Sequence, residues 1–182
     1  MRKLVGRGLL ISGVLAWSFA ALGQSGTALA EGQAPSGHIF VVRHAERVSE
    51  AADALSEAGK QRAACLAATL KSTRLKLVIT SEFKRTQQTG TATADEFNLQ
   101  VDATKADDFA GIAEKARAAA KTGDVLVVGH SNTVPQIVKA LTDVDVTVGS
   151  TEYDDLFVID GKSVAELHYC PAAKPGPESK MN

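Results

Sequence analysis

The sequence has no long apolar run, no excess of positive charge, no internal repeat and only two cysteines. Each shortage closes off a class of protein. The apolar stretch Leu9–Leu22 spans 14 residues, short of the roughly 20 that a membrane span requires, and the composition excludes multi-span membrane, collagenous and coiled-coil classes. A formal net charge of −1 gives no basic face for general nucleic-acid binding. Neither Cys65 nor Cys170 stands in a metal-binding spacing such as C-x-x-C.

The first 30 residues read as a secretory signal peptide: Arg2, Lys3 and Arg7, then Leu9–Leu22, then Ala28-Leu29-Ala30 as an A-x-A cleavage pattern. No cysteine lies beside the cut to accept a lipid. Cleavage after Ala30 leaves 152 residues with a net charge of −4, enough chain to bury about two-thirds of its unfolded surface in one core. The expected organisation is therefore a signal peptide over 1–30, a single domain over 31–170 and a disordered tail over 171–182, rich in proline and without apolar periodicity. The expected location is periplasmic or secreted, with no membrane span left after cleavage. An oxidising compartment would permit a Cys65–Cys170 disulfide, although the alanine-rich surroundings of Cys65 favour an unpaired, buried small hydrophobe.

Ile39-Phe40-Val41-Val42 reads as a buried strand. A polar loop over Ala45–Ala54 precedes a helix with Ser56 as N-cap and Ala63, Leu66, Ala67 and Leu70 at helical spacing. Lys76–Thr80 is a second strand, followed by a helix to about Phe97 and a weak third strand at Leu99–Val101. Gly111–Lys121 is helical with Gly123 as its C-cap. Val125–Val128 is the clearest strand, and a helix over Thr133–Leu141 carries Pro135 in its first turn. Leu156–Ile159 and Val164–Leu167 flank the hairpin signal Asp160-Gly161. Alternating strands and helices predict an α/β fold, a mostly parallel sheet covered on both faces, and the hairpin forces at least one strand to run antiparallel. Ligands of such sheets bind at the carboxyl ends of the parallel strands.

Those ends carry the polar motifs. The first strand runs into Arg43-His44-Ala45-Glu46, the second into Thr80-Ser81 with Arg85-Thr86-Gln87-Gln88-Thr89 one turn on, and the strongest into Gly129-His130-Ser131-Asn132. Arginines and histidines gathered near helix N-termini suit a multiply charged anion. Arg43 and Arg85 can grip phosphoryl oxygens bidentately. A neutral imidazole can attack phosphorus to form phosphohistidine, and nearby cations favour that neutral ring. A second histidine can donate to the transferring group.

Four ordered segments then resemble the histidine phosphatase (phosphoglycerate mutase-like) superfamily. Val41–Glu46 is similar to its Arg-His-Gly/Ala signature, Leu55–Ala63 to its "L-T/S-x-x-G-x-x-x-A" helix entry, Thr80–Thr89 to its second arginine motif, and Val128–Asn132 to its late histidine motif. The resemblance implies a three-layer α/β/α sandwich whose mostly parallel mixed sheet has one antiparallel strand near the C-terminus. It implies His44 as phosphorylated nucleophile and Arg43, Arg85 and His130 as the phosphate pocket; Ser131 and Glu46, beside the two histidine motifs, are further candidate substrate contacts. No metal and no organic cofactor is expected.

A phosphomonoester also needs a proton for its leaving alcohol, and here the chain departs from the family. Ser131 follows His130 where the acid-phosphatase branch has Asp, and the glutamate of the mutase branch has no clear counterpart. Asp108, in the loop after the third strand, is the first choice of donor. Asp107, Glu46 and Asp53 are alternatives, as are Glu152, Asp154 and Asp155 if the strand near Leu156 starts at the active-site edge. The short interval from Thr89 to Val128 predicts an open site, able to accept a bulky phosphoester. The expectation is an exported, cofactor-independent phosphatase acting through phosphohistidine on a phosphorylated small molecule or envelope component. Its alternatives are a non-catalytic phospholigand-binding domain or a protein-phosphohistidine phosphatase. The oligomeric state stays open.

Overall fold

The computed structural model describes residues 37–170, so the signal peptide expected over 1–30 and the tail expected over 171–182 lie outside the described residues. Ten elements alternate as expected: β1 (Ile39–Arg43), α1 (Glu57–Leu70), β2 (Leu75–Ser81), α2 (Lys84–Glu96), β3 (Val101–Thr104), α3 (Phe109–Ala120), β4 (Asp124–Gly129), α4 (Val134–Thr142), β5 (Asp155–Asp160) and β6 (Ser163–His168). They build one sheet of six strands in the order β3-β2-β4-β1-β5-β6. β1, β2, β3 and β4 pair in parallel, and β5 is antiparallel to both β1 and β6. A single strand, β5, therefore runs against the rest.

The continuous apolar runs are explained by helices on both faces. Ile39, Val41, Val125 and Val127 point to one side, where they meet Ile112 and Ala116 of α3 and Ile137 and Leu141 of α4. Phe40, Val42, Leu126 and Val128 point to the other, against Leu66 and Leu70 of α1 and Ala94 of α2. The result is the expected three-layer sandwich. Ser56 caps α1, its side chain accepting from the Gly59 N–H. Gly161, with φ +60°, opens the two-residue β5–β6 turn, a backbone state that glycine adopts without steric cost.

Four local expectations are corrected. β3 begins at Val101 rather than ending there, because the chain first turns through Asn98 in the left-handed region, φ 53°. Half-buried at the sheet edge, β3 lacks the apolar run that marks the inner strands. Gly123 does not cap α3; Lys121 does. Gly123 instead permits close approach, since a Cβ there would strike the Arg74 carbonyl and the Lys76 side chain. Cys65 is not an unpaired hydrophobe: it is disulfide-bonded to Cys170, 105 residues away. The pairing is tertiary, because the exit from β6 returns the chain over α1, where the Arg62 Nη1 donates to the Cys170 carbonyl at 2.9 Å. Asp108, the first choice of proton donor, is the N-cap of α3; its Oδ1 accepts from the Gly111 N–H at 3.0 Å. Among the described residues no helix is long and apolar enough to cross a membrane.

Candidate active site

Register brings the polar motifs together. β1 and β4 are neighbours with Arg43 opposite Gly129, so His44 and His130, each one residue beyond, leave the sheet side by side. Their ring centroids are 5.3 Å apart. After β1 the chain turns to α1 on one face and after β4 to α4 on the other, which opens a crevice at the carboxyl ends. β2, on the far side of β4, adds Ser81 and the first turn of α2. β5 runs antiparallel to β1, so the segment before it, 149–153, arrives at the same edge over Arg43.

His44 is 3% exposed. Its Nδ1 lies 2.7 Å from the Ala45 carbonyl oxygen, and a carbonyl only accepts, so Nδ1 carries the proton and Nε2 keeps its lone pair. The backbone here is pinned on both sides: the His44 N–H donates to the Gly129 carbonyl, and the Ala45 N–H to Thr89 Oγ1 of α2. Burial pushes the His44 pKa down from 6.5 to about 3; the Ala45 contact opposes this, while His130, Arg85 and Arg43 reinforce it. Burial, more than the arginine cations, is what keeps the ring neutral.

His130 is 6% exposed and belongs to a directed chain. Arg85 Nη2 lies 3.2 Å from His130 Nδ1. Guanidinium nitrogens only donate, so Nδ1 accepts, and Nε2–H donates to Ser81 Oγ at 2.9 Å. The Ser81 hydroxyl then donates to Thr86 Oγ1 at 2.7 Å, and the Thr86 hydroxyl to the Phe83 carbonyl at 2.7 Å. Burial first, then Arg85, lower the His130 pKa to about 4, with Glu82 and Asp53 opposing and Arg43 adding.

Each arginine is braced on one edge. Arg43 Nη1 donates to the carbonyls of Gly149, Ser150 and Glu152, each at 2.9 Å, and Nη2 donates to the Tyr153 hydroxyl at 3.2 Å. Arg85 Nη1 binds Asp53 at 2.6 Å. The Nε–H groups of both arginines are buried without a protein acceptor. Each guanidinium also stacks on an aromatic ring, Arg43 on Tyr153 at 4.0 Å and Arg85 on Phe83 at 4.4 Å. A buried cationic N–H without an acceptor is costly.

This arrangement is familiar. The profile of the histidine phosphatase superfamily (branch 1) matches residues 39–109, which include the Arg43-His44 exit and the Arg85 helix. Residues 39–109 thus carry the pattern of the histidine phosphatase superfamily. No curated protein matches it significantly in sequence. Among solved structures, the chain is similar in fold to the protein histidine phosphatase SixA complexed with tungstate, with a TM-score of 0.59 and 19% identity over 72% of this chain and 95% of that one. It is similar also to a phosphoserine phosphatase from Entamoeba histolytica in complex with 3-phosphoglyceric acid, with a TM-score of 0.54 and 12% identity over 73% and 96%. Its neighbours in the histidine phosphatase fold are thus phosphatases.

The remaining expected residues divide. Ser131, half-buried, follows His130 at the crevice. Glu46 turns away from it: its Oε1 is held by Arg62 at 2.8 Å, beside the disulfide. Asp53 holds Arg85 and the Lys84 N–H; burial raises its pKa, but these contacts win and hold it below the usual carboxylate value, so it stays ionised. Glu152 turns its carboxylate to the Gly149 N–H. Asp154, Asp155 and His168 lie together, one ligating atom of each within 4.8 Å of the others, the group among the described residues best able to hold a metal ion. Asp155 is buried and its pKa is raised, first by that burial and then by Glu152 and Glu166. Tyr153 was not anticipated. The antiparallel start of β5 flagged the residues around it, but a search for carboxylates passes over a phenol.

Proposed function

We propose that this protein is a cofactor-independent phosphohydrolase that carries the phosphoryl group on His44 Nε2. The observation that carries the reading is the state of His44: buried, neutral, and held by the Ala45 carbonyl in the tautomer whose Nε2 can attack. A phosphoryl dianion set beside Arg43 and Arg85 is held by two guanidinium charges. The lone pair of Nε2 then forms the P–N bond as the P–O bond to the leaving group breaks. As Arg85 turns to the phosphoryl oxygens, the neutral His130 can give its existing Nε2–H, which rests on Ser81, to the transferring group. Water hydrolyses phosphohistidine in the second half-reaction. A pure binding domain would not require a nucleophile fixed in this tautomer.

Substrates are phosphorylated small molecules or envelope components, met in the periplasm or outside the cell. The Cys65–Cys170 disulfide supports an oxidising compartment. Phosphohistidine of a protein is the second reading, favoured by the fold likeness to SixA and by an imidazole leaving group that makes small demands on a proton donor.

The test is turnover of p-nitrophenyl phosphate by the purified protein beside His44→Ala, with quenched samples assayed for bound phosphate that is acid-labile and base-stable. The wild type should turn over and trap phosphate, and the variant should do neither. Equal rates for the two would remove His44 from the mechanism. Sequencing of the exported protein should begin at Glu31; an intact Met1 end would count against export.

A further inference from the structure

The phosphohydrolase reading leaves one chemical role unfilled, the proton for the leaving oxygen, and on the strength of that reading we propose that the Tyr153 hydroxyl supplies it. Several carboxylates around the crevice are otherwise engaged. Asp53 is ionised between Arg85 and the Lys84 N–H, Glu82 is held by the Ala106 N–H, Glu46 by Arg62, Glu152 by the Gly149 N–H, and Asp108 by its own helix. A phenol, by contrast, has an O–H to give.

The direction of one hydrogen bond shows that this proton is free. Arg43 Nη2 lies 3.2 Å from the Tyr153 oxygen. Because a guanidinium can only donate, the tyrosine oxygen is the acceptor and its own O–H is not used in that contact. No described residue accepts from that hydroxyl. The ring is fixed by Arg43 stacked at 4.0 Å, and its centroid is 6.1 Å from that of His44. That separation is ring-to-ring contact, so the tyrosine borders the nucleophile directly. An oxygen held by Arg43 Nη2 at a charge-assisted distance of about 2.8 Å belongs to a group within reach of the hydroxyl.

The step balances. His44 Nε2 bonds to phosphorus, the P–O ester bond breaks with its electron pair on oxygen, and that oxygen takes the Tyr153 proton, leaving as the alcohol. The Arg43 guanidinium balances the charge left on the phenolate. In the second half-reaction the phenolate takes a proton from the attacking water, the P–N bond breaks, and inorganic phosphate, neutral His44 and protonated Tyr153 are restored. Glu152 and Tyr153 divide the work of this segment: the Glu152 main-chain carbonyl braces Arg43, and the Tyr153 side chain faces the chemistry.

The experiment compares Tyr153→Phe with wild type on p-nitrophenyl phosphate, whose leaving group needs no proton, and on an alkyl phosphate, whose leaving group does. The phenyl ring retains the stack on Arg43. General acid catalysis contributes typically 10²–10⁴-fold, so the alkyl-to-aryl ratio of kcat/KM should fall by about 100-fold, while acid-labile phosphoprotein still forms from the aryl ester. Equal losses on both esters would overturn the proposal and make Tyr153 a support for Arg43. An unchanged ratio would overturn it as well, and so would an alkyl-selective loss in Asp155→Asn with none in Tyr153→Phe. A wild type that neither turns over aryl phosphate nor traps phosphate would instead bring down the phosphohydrolase reading itself, and this inference with it.

Discussion

Mildly acidic solution should weaken this domain through its histidine pair, before most carboxylates titrate. Above pH 6.5 both rings are neutral in the folded and the unfolded chain and add no pH dependence. Below it the unfolded chain takes up a proton at each imidazole, whereas folded His130 and His44 stay neutral down to about 4 and about 3. The unfolded state therefore binds more protons, and the unfolding free energy falls as pH falls, by about 1.4 kcal/mol per pH unit for each ring. Between pH 6.5 and 5.0 this amounts to ~2 kcal/mol per ring and ~4 kcal/mol for the pair. Set against a typical total of about 5–15 kcal/mol, that is a large share. Urea unfolding at pH 7.5 and 5.0 should show the loss in the wild type and little of it in a His44→Gln/His130→Gln double variant. NMR titration of the imidazole C–H signals should place both midpoints below pH 5. A His44 midpoint near 6.5, or a double variant with undiminished pH dependence, would refute the reasoning.

Replacing Arg85 with lysine removes the stack on Phe83 and the fork shared by Asp53 and His130; affinity for vanadate, measured by calorimetry, should fall at least about tenfold, or 1.4 kcal/mol. Asp108→Ala should cost about 1 kcal/mol in urea unfolding, as loss of an N-cap does, and leave kcat/KM within about twofold; a collapse in turnover would return Asp108 to the chemistry. Reduction of the Cys65–Cys170 bond releases a constraint across 105 residues, for which chain entropy predicts up to about 5 kcal/mol, so dithiothreitol should lower the thermal midpoint sharply. Gly59→Ala sets a Cβ on the Glu46 carbonyl; the shift it forces in the segment after His44 should reduce turnover more than it reduces stability.

Much of the site was legible because its signals are local. A buried strand must end where its apolar run ends, so Arg43-His44 and His130 announced themselves at the exits of β1 and β4, and Ser56 at the start of α1. Parallel strands then oblige those exits to share one edge. Signals that depend on partners were weaker. Asp108 has the same loop context whether it caps a helix or serves chemistry, and only the Gly111 N–H at 3.0 Å decides between them. Glu46 stands two residues from the nucleophile in sequence yet turns to Arg62.

The sequence by itself determined the order of elements, the two covered faces of the sheet and the gathering of arginine and histidine at the carboxyl edge, because hydrophobic periodicity and strand direction are properties of neighbouring residues. Tertiary structure alone decided which residues meet across the chain: Cys65 with Cys170, Asp53 with Arg85, and Tyr153 with Arg43, 110 residues before it. It also decided protonation. The tautomers of His44 and His130 follow from a carbonyl, a guanidinium and a hydroxyl brought within hydrogen-bond distance by the sheet, and burial sets their charge.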